Sequence, residues 1–281
     1  MKLGMNMLLW SPDVTPMAYQ PTFELLKDIG YEGVEIPILD REIDKYAELG
    51  ARLGDLGLER VAVAARGAGD NPISGDEAVR REAVEAMKVN LDAAAALGAS
   101  LLCGPLSAPI GVLSGAPPTA QERAWAVDHV REVAPYAEER GITIALEYVS
   151  RFEMYLTNTA ADLAALVREV DHPNCRMMYD TCQAHIEEKD PRAALEACKD
   201  VLVHVHLSES DRSTPGTGQV HWETTFAALR EIGYDGWAMV EAFGDAVPEF
   251  ASATKIWRRM FESEEQLARD GAAFVRRGLG L

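Results

Sequence analysis

No two cysteines in this chain follow a CxxC spacing, and the 281 residues contain only four: Cys103, Cys175, Cys182 and Cys198. A chain this long is not a disulfide-stapled mini-protein, so free, buried thiols in a reducing compartment are expected. Basic residues are scarce as well, 27 Lys and Arg against 45 Asp and Glu, for a net charge of −18. Phosphate backbones need clustered cations, so a nucleic-acid partner is excluded. No GxGxxG follows the first strand-like segment, and no glycine-rich phosphate loop occurs elsewhere. No apolar run reaches membrane-spanning length, and Met1-Lys2-Leu3-Gly4 enters a strand-like segment with no signal-peptide pattern. A cytoplasmic protein without membrane partners is the expectation.

What is present is alternation. Short apolar runs at Lys2–Leu8, Gly33–Ile36, Arg60–Ala64, Ser100–Gly104, Thr143–Leu146, Arg176–Tyr179, Val201–Val205 and Trp237–Val240 read as strands. Amphipathic stretches such as Thr22–Ile29, Asp76–Leu97, Gln121–Glu139, Ala160–Val170 and Thr224–Ile232 lie between them. Gly30, Gly57, Gly98, Gly141 and Gly233 punctuate the ends of helical stretches, where the left-handed conformation is needed. Ser74-Gly75-Asp76-Glu77 and Thr119-Ala120-Gln121-Glu122 have the spacing of capping boxes. Repeated strand–helix units give a parallel sheet covered by helices, and eight of them predict a (β/α)8 TIM barrel. No linker or low-complexity segment interrupts the chain, so residues 1–281 are expected to form a single domain; Leu106–Pro118 reads as a long loop.

Four strand candidates end on a metal-ligating side chain: Glu147, Asp180, His206 and Glu241. Any one of them alone is more often a strand cap or a salt-bridge partner. In barrel enzymes, however, the C-terminal strand ends share one rim, and there four such groups converge. Three carboxylates and an imidazole suit one Mn²⁺, Mg²⁺ or Co²⁺ with positions left open for ligand oxygens. Zinc also accepts such donors, although the lack of thiolates argues against a structural zinc site.

The remaining candidates have competing readings. His204 shares the strand face of His206 one layer deeper, as a core histidine or a group supporting the ligands. Arg151 and Glu153 belong to the loop after Glu147, as an ion pair or, for Glu153, as a contact to a substrate hydroxyl. Arg212, after His206, has the same two readings. Trp10 and Phe243 stand at strand ends, where they could wall a small ligand or pack the core. His185 is placed in a loop after Asp180, His129 on a helix surface, His172 in a turn, His221 in a structural loop and Trp257 in the core of a C-terminal helix.

The segments Leu146-Glu147-Tyr148-Val149-Ser150-Arg151-Phe152-Glu153, Asp180-Thr181 with Ile186-Glu187-Glu188, and His204–Arg212 followed by Pro215-Gly216 resemble the ketose 3-epimerases. Gly233-Tyr234-Asp235-Gly236 leading to Glu241-Ala242-Phe243 fits the same pattern. That group belongs to the xylose-isomerase-like TIM barrel superfamily. The resemblance implies a metal, usually Mn²⁺, held by Glu147, Asp180, His206 and Glu241, the first and last doubling as acid and base. It further implies a sugar substrate contacted by Glu153 and Arg212, and a homodimer or homotetramer. One position departs: where the family has a substrate-binding histidine, this chain has Gln183, which can hydrogen-bond but cannot titrate near neutral pH.

The expected activity is therefore inversion of C3 of a free ketose through an enediolate, with Glu147 and Glu241 exchanging the proton. Aldose–ketose, hydroxypyruvate or inosose isomerases and dehydratases on the same scaffold are the alternatives, together with a non-catalytic sugar-binding subunit. A DNA-repair endonuclease would need more ligand histidines and a basic groove.

Overall fold

In a computed structural model describing Met1–Leu281, eight parallel strands close into a barrel in sequence order. The first half runs β1 (Lys2–Asn6), α1 (Gln20–Ile29), β2 (Gly33–Pro37), α2 (Ile43–Asp55), β3 (Glu59–Val63), α3 (Glu77–Leu97), β4 (Leu101–Gly104) and α4 (Ala120–Glu139). The second half runs β5 (Thr143–Leu146), α5 (Ala160–Val170), β6 (Cys175–Asp180), α6 (Thr181–Glu187), α7 (Pro191–Cys198), β7 (Leu202–Ser208), α8 (Trp222–Glu231), β8 (Trp237–Glu241), α9 (Pro248–Thr254) and α10 (Glu264–Leu279). Pairing of Leu3 with Ala238 and Met5 with Val240 closes the ring.

Strand alternation divides the apolar side chains into two cores. The larger lies between the strands and the helix layer and includes Val34, Ile36, Val205, Leu207 and Val240. The smaller fills the barrel itself with Val61, Val63, Leu101, Cys103, Ala145, Met178, Trp237 and Met239. Each of the four rim candidates stands two residues beyond an inward-facing residue: Ala145, Met178, His204 or Met239. The period of two therefore aims all four over the barrel axis.

Two close approaches require glycine. At Gly33 a Cβ would lie 2.5 Å from the Trp237 ring, which plugs the barrel. Gly104 has φ 121°, and a Cβ there would sit 2.1 Å from the Ala64 carbonyl oxygen. The Gly104 carbonyl in turn accepts the Glu147 N–H at 2.9 Å, fixing the backbone of the first rim carboxylate.

Several local expectations are corrected. β1 stops at Asn6, whose side chain accepts the Leu8 N–H and starts a one-turn 3-10 helix. Asp76 rather than Ser74 caps α3, whereas the Thr119–Glu122 box forms in both directions. His185 lies within α6, and His129 is buried on the inner face of α4. Trp257 is 72% exposed, outside both C-terminal helices. No helix is long and apolar enough to cross a membrane.

Candidate active site and metal centre

Local folding fixes each rim residue differently. Asp180 ends β6 and caps α6, its Oδ1 accepting the N–H groups of Cys182 at 2.6 Å and Gln183 at 3.0 Å. Only Oδ2 is left to face the barrel axis. Between Met177 and Met178 the β6–β7 register slips, so that Met178 pairs with His204 and Asp180 with His206. This bulge, of a kind common beside active sites, brings His206 level with Asp180.

The four candidates meet. Ligand atoms of Glu147, Asp180 and His206 all lie within 4.8 Å of one another. His206 Nδ1 is 3.1 Å from Glu241 Oε1 and 3.9 Å from Asp180 Oδ2. All four residues are buried. Arg212, held with φ 64°, reaches in so that Nη1 donates to Asp180 Oδ2 at 2.8 Å, Glu241 Oε2 at 2.6 Å and Ser208 Oγ at 2.9 Å.

These neighbours set the protonation of the protein's own groups. Burial and then Asp180 push the Glu147 carboxyl well above its usual range. Burial, partly offset by Arg212, lifts Asp180 to about 6. For Glu241 burial acts in the same direction, but His206 and Arg212 outweigh it and hold the carboxyl at about 2. Burial disfavours a charged His206, yet Glu35 and Glu241 raise its pKa. Buried carboxylates this close stay ionised only with cations among them; otherwise they take up protons, as the raised Glu147 and Asp180 carboxyls do.

The residues fit a divalent cation. His206 Nδ1 is buried without an aligned hydrogen bond, facing Asp180 and Glu241. Three carboxylates complete an oxygen-rich donor set.

Around this cluster stand the other candidates. Gln183 is buried, its Oε1 accepting the Ser150 N–H at 2.8 Å and its Nε2 donating to Glu153 Oε1 at 3.2 Å. The amide thus binds the β5 loop to the end of β6. Arg151 pairs with Glu187 of α6 at 2.5 Å, so of the two loop residues only Glu153 is tied to Gln183. The half-buried Phe243 lies under Arg212, whose guanidinium carbon is 5.0 Å from the ring centroid. Trp10, also half-buried, closes the 3-10 turn after β1.

Sequence reasoning missed a buried layer beneath the rim. Glu35 is fully buried in β2, with Nε2 of His204 2.7 Å and Nε2 of His206 2.9 Å from its two oxygens. A carboxylate inside the otherwise apolar strand Val34–Pro37 was the available signal, because strands of a parallel barrel are buried on both faces. Glu209 was missed too. It accepts N–H groups from Ser210, Gly216, Val220 and the Trp222 indole, folding the loop that carries Arg212.

The chain as a whole is similar to known proteins. A family model described as xylose isomerase-like TIM barrel matches residues 23–278. An L-ribulose 3-epimerase of Mesorhizobium japonicum is 31% identical, covering 100% of this chain and 94% of the relative. A ketose 3-epimerase of Arthrobacter globiformis is 30% identical over 98% of this chain and 96% of its own length. The crystal structure of a Methylomonas D-allulose 3-epimerase in complex with D-allulose superposes with a TM-score of 0.93 at 30% identity, covering 99% and 96% of the two chains.

Proposed function

From the premise that this chain belongs to the ketose 3-epimerases of the xylose isomerase-like TIM barrel family, we propose that Glu147, Asp180, His206 and Glu241 hold one Mn²⁺ per chain and epimerise a free ketose at C3. The observation that carries this reading is the convergence of three buried carboxylates on one face of His206.

When bound, the divalent cation supplies a Lewis acid for the carbonyl and neighbouring hydroxyl oxygens. The rest is the work of the chain. Glu147, just past the end of β5, and Glu241, at the end of β8, rise from different walls of the barrel, so a sugar between them presents C3 to a carboxylate on either side. One takes the C3 proton as base, leaving an enediolate, and the other returns a proton to the opposite face as acid. Arg212 offers charged donors beside the developing negative charge, and Glu153, oriented by Gln183, offers an acceptor for a sugar hydroxyl.

D-Allulose and L-ribulose, named for the relatives, are the first substrates to test. Four buried, unpaired cysteines accord with a cytoplasmic enzyme, and a homodimer or homotetramer is the assembly we propose. The decisive experiment incubates the protein with Mn²⁺ and D-allulose in D₂O. The expected result is a C3 epimer carrying deuterium at C3 and no aldose, with exchange lost in both Glu147→Gln and Glu241→Gln. Rapid exchange in both variants would overturn the acid–base assignment.

A further inference from the structure

We propose that Glu35 is a positioning residue for this reaction: it fixes the proton of His206 on Nε2, leaving Nδ1 for the cation, and orients Glu241 through Asn6. The inference rests on the metal site proposed above.

The geometry saturates the Glu35 carboxylate. Oε1 lies 2.6 Å from Asn6 Nδ2 and 2.9 Å from His206 Nε2. Oε2 lies 2.7 Å from His204 Nε2 and 3.1 Å from Cys103 Sγ. An ionised carboxylate offers about four lone-pair sites, and each here faces one donor. Each Nε2 lies within 2.9 Å of a Glu35 oxygen but off the hydrogen-bonding line, and the Cys103 sulfur is another polar neighbour of the His206 ring.

The same four side chains (Glu35, Cys103, His204 and His206) have ligand atoms within 4.8 Å of one another, which raises the question of a second ion. Donors about 2.0–2.1 Å from a tetrahedral ion stand roughly 3.3 Å apart. Separations of 2.7 and 2.9 Å are instead those of a donor against an acceptor. The cluster is a proton-ordered network.

Its orientation has a direction. With Nε2 turned to Glu35, His206 can present only Nδ1 toward Asp180 and Glu241. Asn6 extends the constraint, because Nδ2 also donates to Glu241 Oε1 at 3.2 Å and its Oδ1 is occupied by the Leu8 N–H. One buried carboxylate on β2 thereby sets a ligand on β7 and a reacting carboxylate on β8. Carboxylates behind ligand histidines act this way generally, and their loss costs about 10–100-fold in metal affinity or activity.

Glu35→Leu is the sharp test. A leucine offers neither imidazole an acceptor, so nothing holds the His206 proton on Nε2 and away from Nδ1, where the cation would bind. Asn6 also loses one of the two carboxylates that orient it. The expected result is Mn²⁺ affinity, read by equilibrium dialysis, weakened by about tenfold or more, with KM at saturating metal nearly unchanged. Glu35→Asp should recover part of the affinity. In the wild-type protein loaded with diamagnetic Mg²⁺, ¹⁵N NMR should find the His206 proton on Nε2; this measurement stands even if the variants fail to fold. A proton on Nδ1, or wild-type Mn²⁺ affinity in folded Glu35→Leu, would overturn the assignment. Wild-type protein that binds no Mn²⁺ would instead remove the metal site itself, and this inference with it.

Discussion

Arg212 Nη1 lies 2.6 Å from Glu241 Oε2, and the same nitrogen reaches Asp180 Oδ2 at 2.8 Å. A single guanidinium therefore neutralises two of the carboxylates assigned to the cation. Removing one partner of a buried ion pair costs about 3–5 kcal/mol, because the other charge is left uncompensated. In Arg212→Met that penalty should fall mainly on the metal-free protein, where only the His206 imidazole, 3.9 Å away, is left to face Asp180. Chelated Arg212→Met should melt well below the chelated wild type, and Mn²⁺ should restore more of the loss than it adds to the wild type. Equal drops with and without Mn²⁺ would show that Arg212 and the metal do not share these carboxylates.

Gln183 offers a second test. Its Oε1 accepts the buried Ser150 N–H, and its Nε2 holds Glu153. In Gln183→Ala the Ser150 N–H loses its partner at a folding cost of about 1–3 kcal/mol, and Glu153 keeps only the Ser150 hydroxyl, 3.3 Å away, to orient it. The Ser150 cost is read as a lower melting temperature; a Glu153 less well oriented for one sugar hydroxyl should lower kcat/KM by about tenfold, roughly 1.4 kcal/mol, chiefly through KM. Mn²⁺ affinity should be unchanged. A variant with intact KM would mean that Glu153 needs no orientation from this amide. A neutral histidine also carries one acceptor and one donor nitrogen, so Gln183→His can replace both contacts in one tautomer while adding a group that titrates near neutral pH, and its substrate preference should shift among ketohexoses.

Much of this was legible in the sequence because it follows from period. Glu147, Asp180, His206 and Glu241 each close an apolar run, and parallel strands align such ends at one rim. Glu35 and Asn6 were not legible, because their role depends on which strands become neighbours across a closed barrel. His129 and Trp257 were misplaced for a related reason. The helical pattern places His129 on a face, but only the packed helix layer decides that this face is inward. Trp257 is apolar enough for a core, yet it lies between α9 and α10, where no element covers it. Gln183 reads as a bare departure from a family pattern until Ser150 and Glu153 are seen against it.

Glu209 makes a stability prediction. The fully buried carboxylate accepts N–H groups from Ser210, Gly216, Val220 and the Trp222 indole. Burial alone would raise its pKa, but these donors outweigh it and lower the carboxyl below its usual value. A carboxyl depressed on folding adds stability above its unfolded pKa, and that stability is lost as pH falls through the folded one. Glu209→Ala leaves several buried donors unmatched, at about 1–3 kcal/mol each if none finds water. The variant should melt well below the wild type and, because the same loop carries Arg212, show a raised KM. An unchanged melting temperature would mean that the loop holds without this anchor.

His129 supplies the opposite sign. Burial, followed by the charge of nearby Arg66, lowers its pKa to about 3, and neither ring nitrogen has a hydrogen-bond partner. In the unfolded chain the imidazole returns to about 6.5. Between those two values the unfolded state binds a proton that the folded state refuses, so stability falls as pH drops, by up to about 1.4 kcal/mol per pH unit. Above the unfolded pKa the group is neutral in both states and contributes no pH dependence. His129→Leu removes this proton uptake while keeping an apolar side chain on the inner face of α4. Urea melts from about pH 7 down to about pH 4 should show the wild type losing stability faster than the variant, so that the difference shifts steadily in the variant's favour toward the acid end. Parallel curves across that window would show that the His129 ring takes up its proton in the folded state as readily as in the unfolded one.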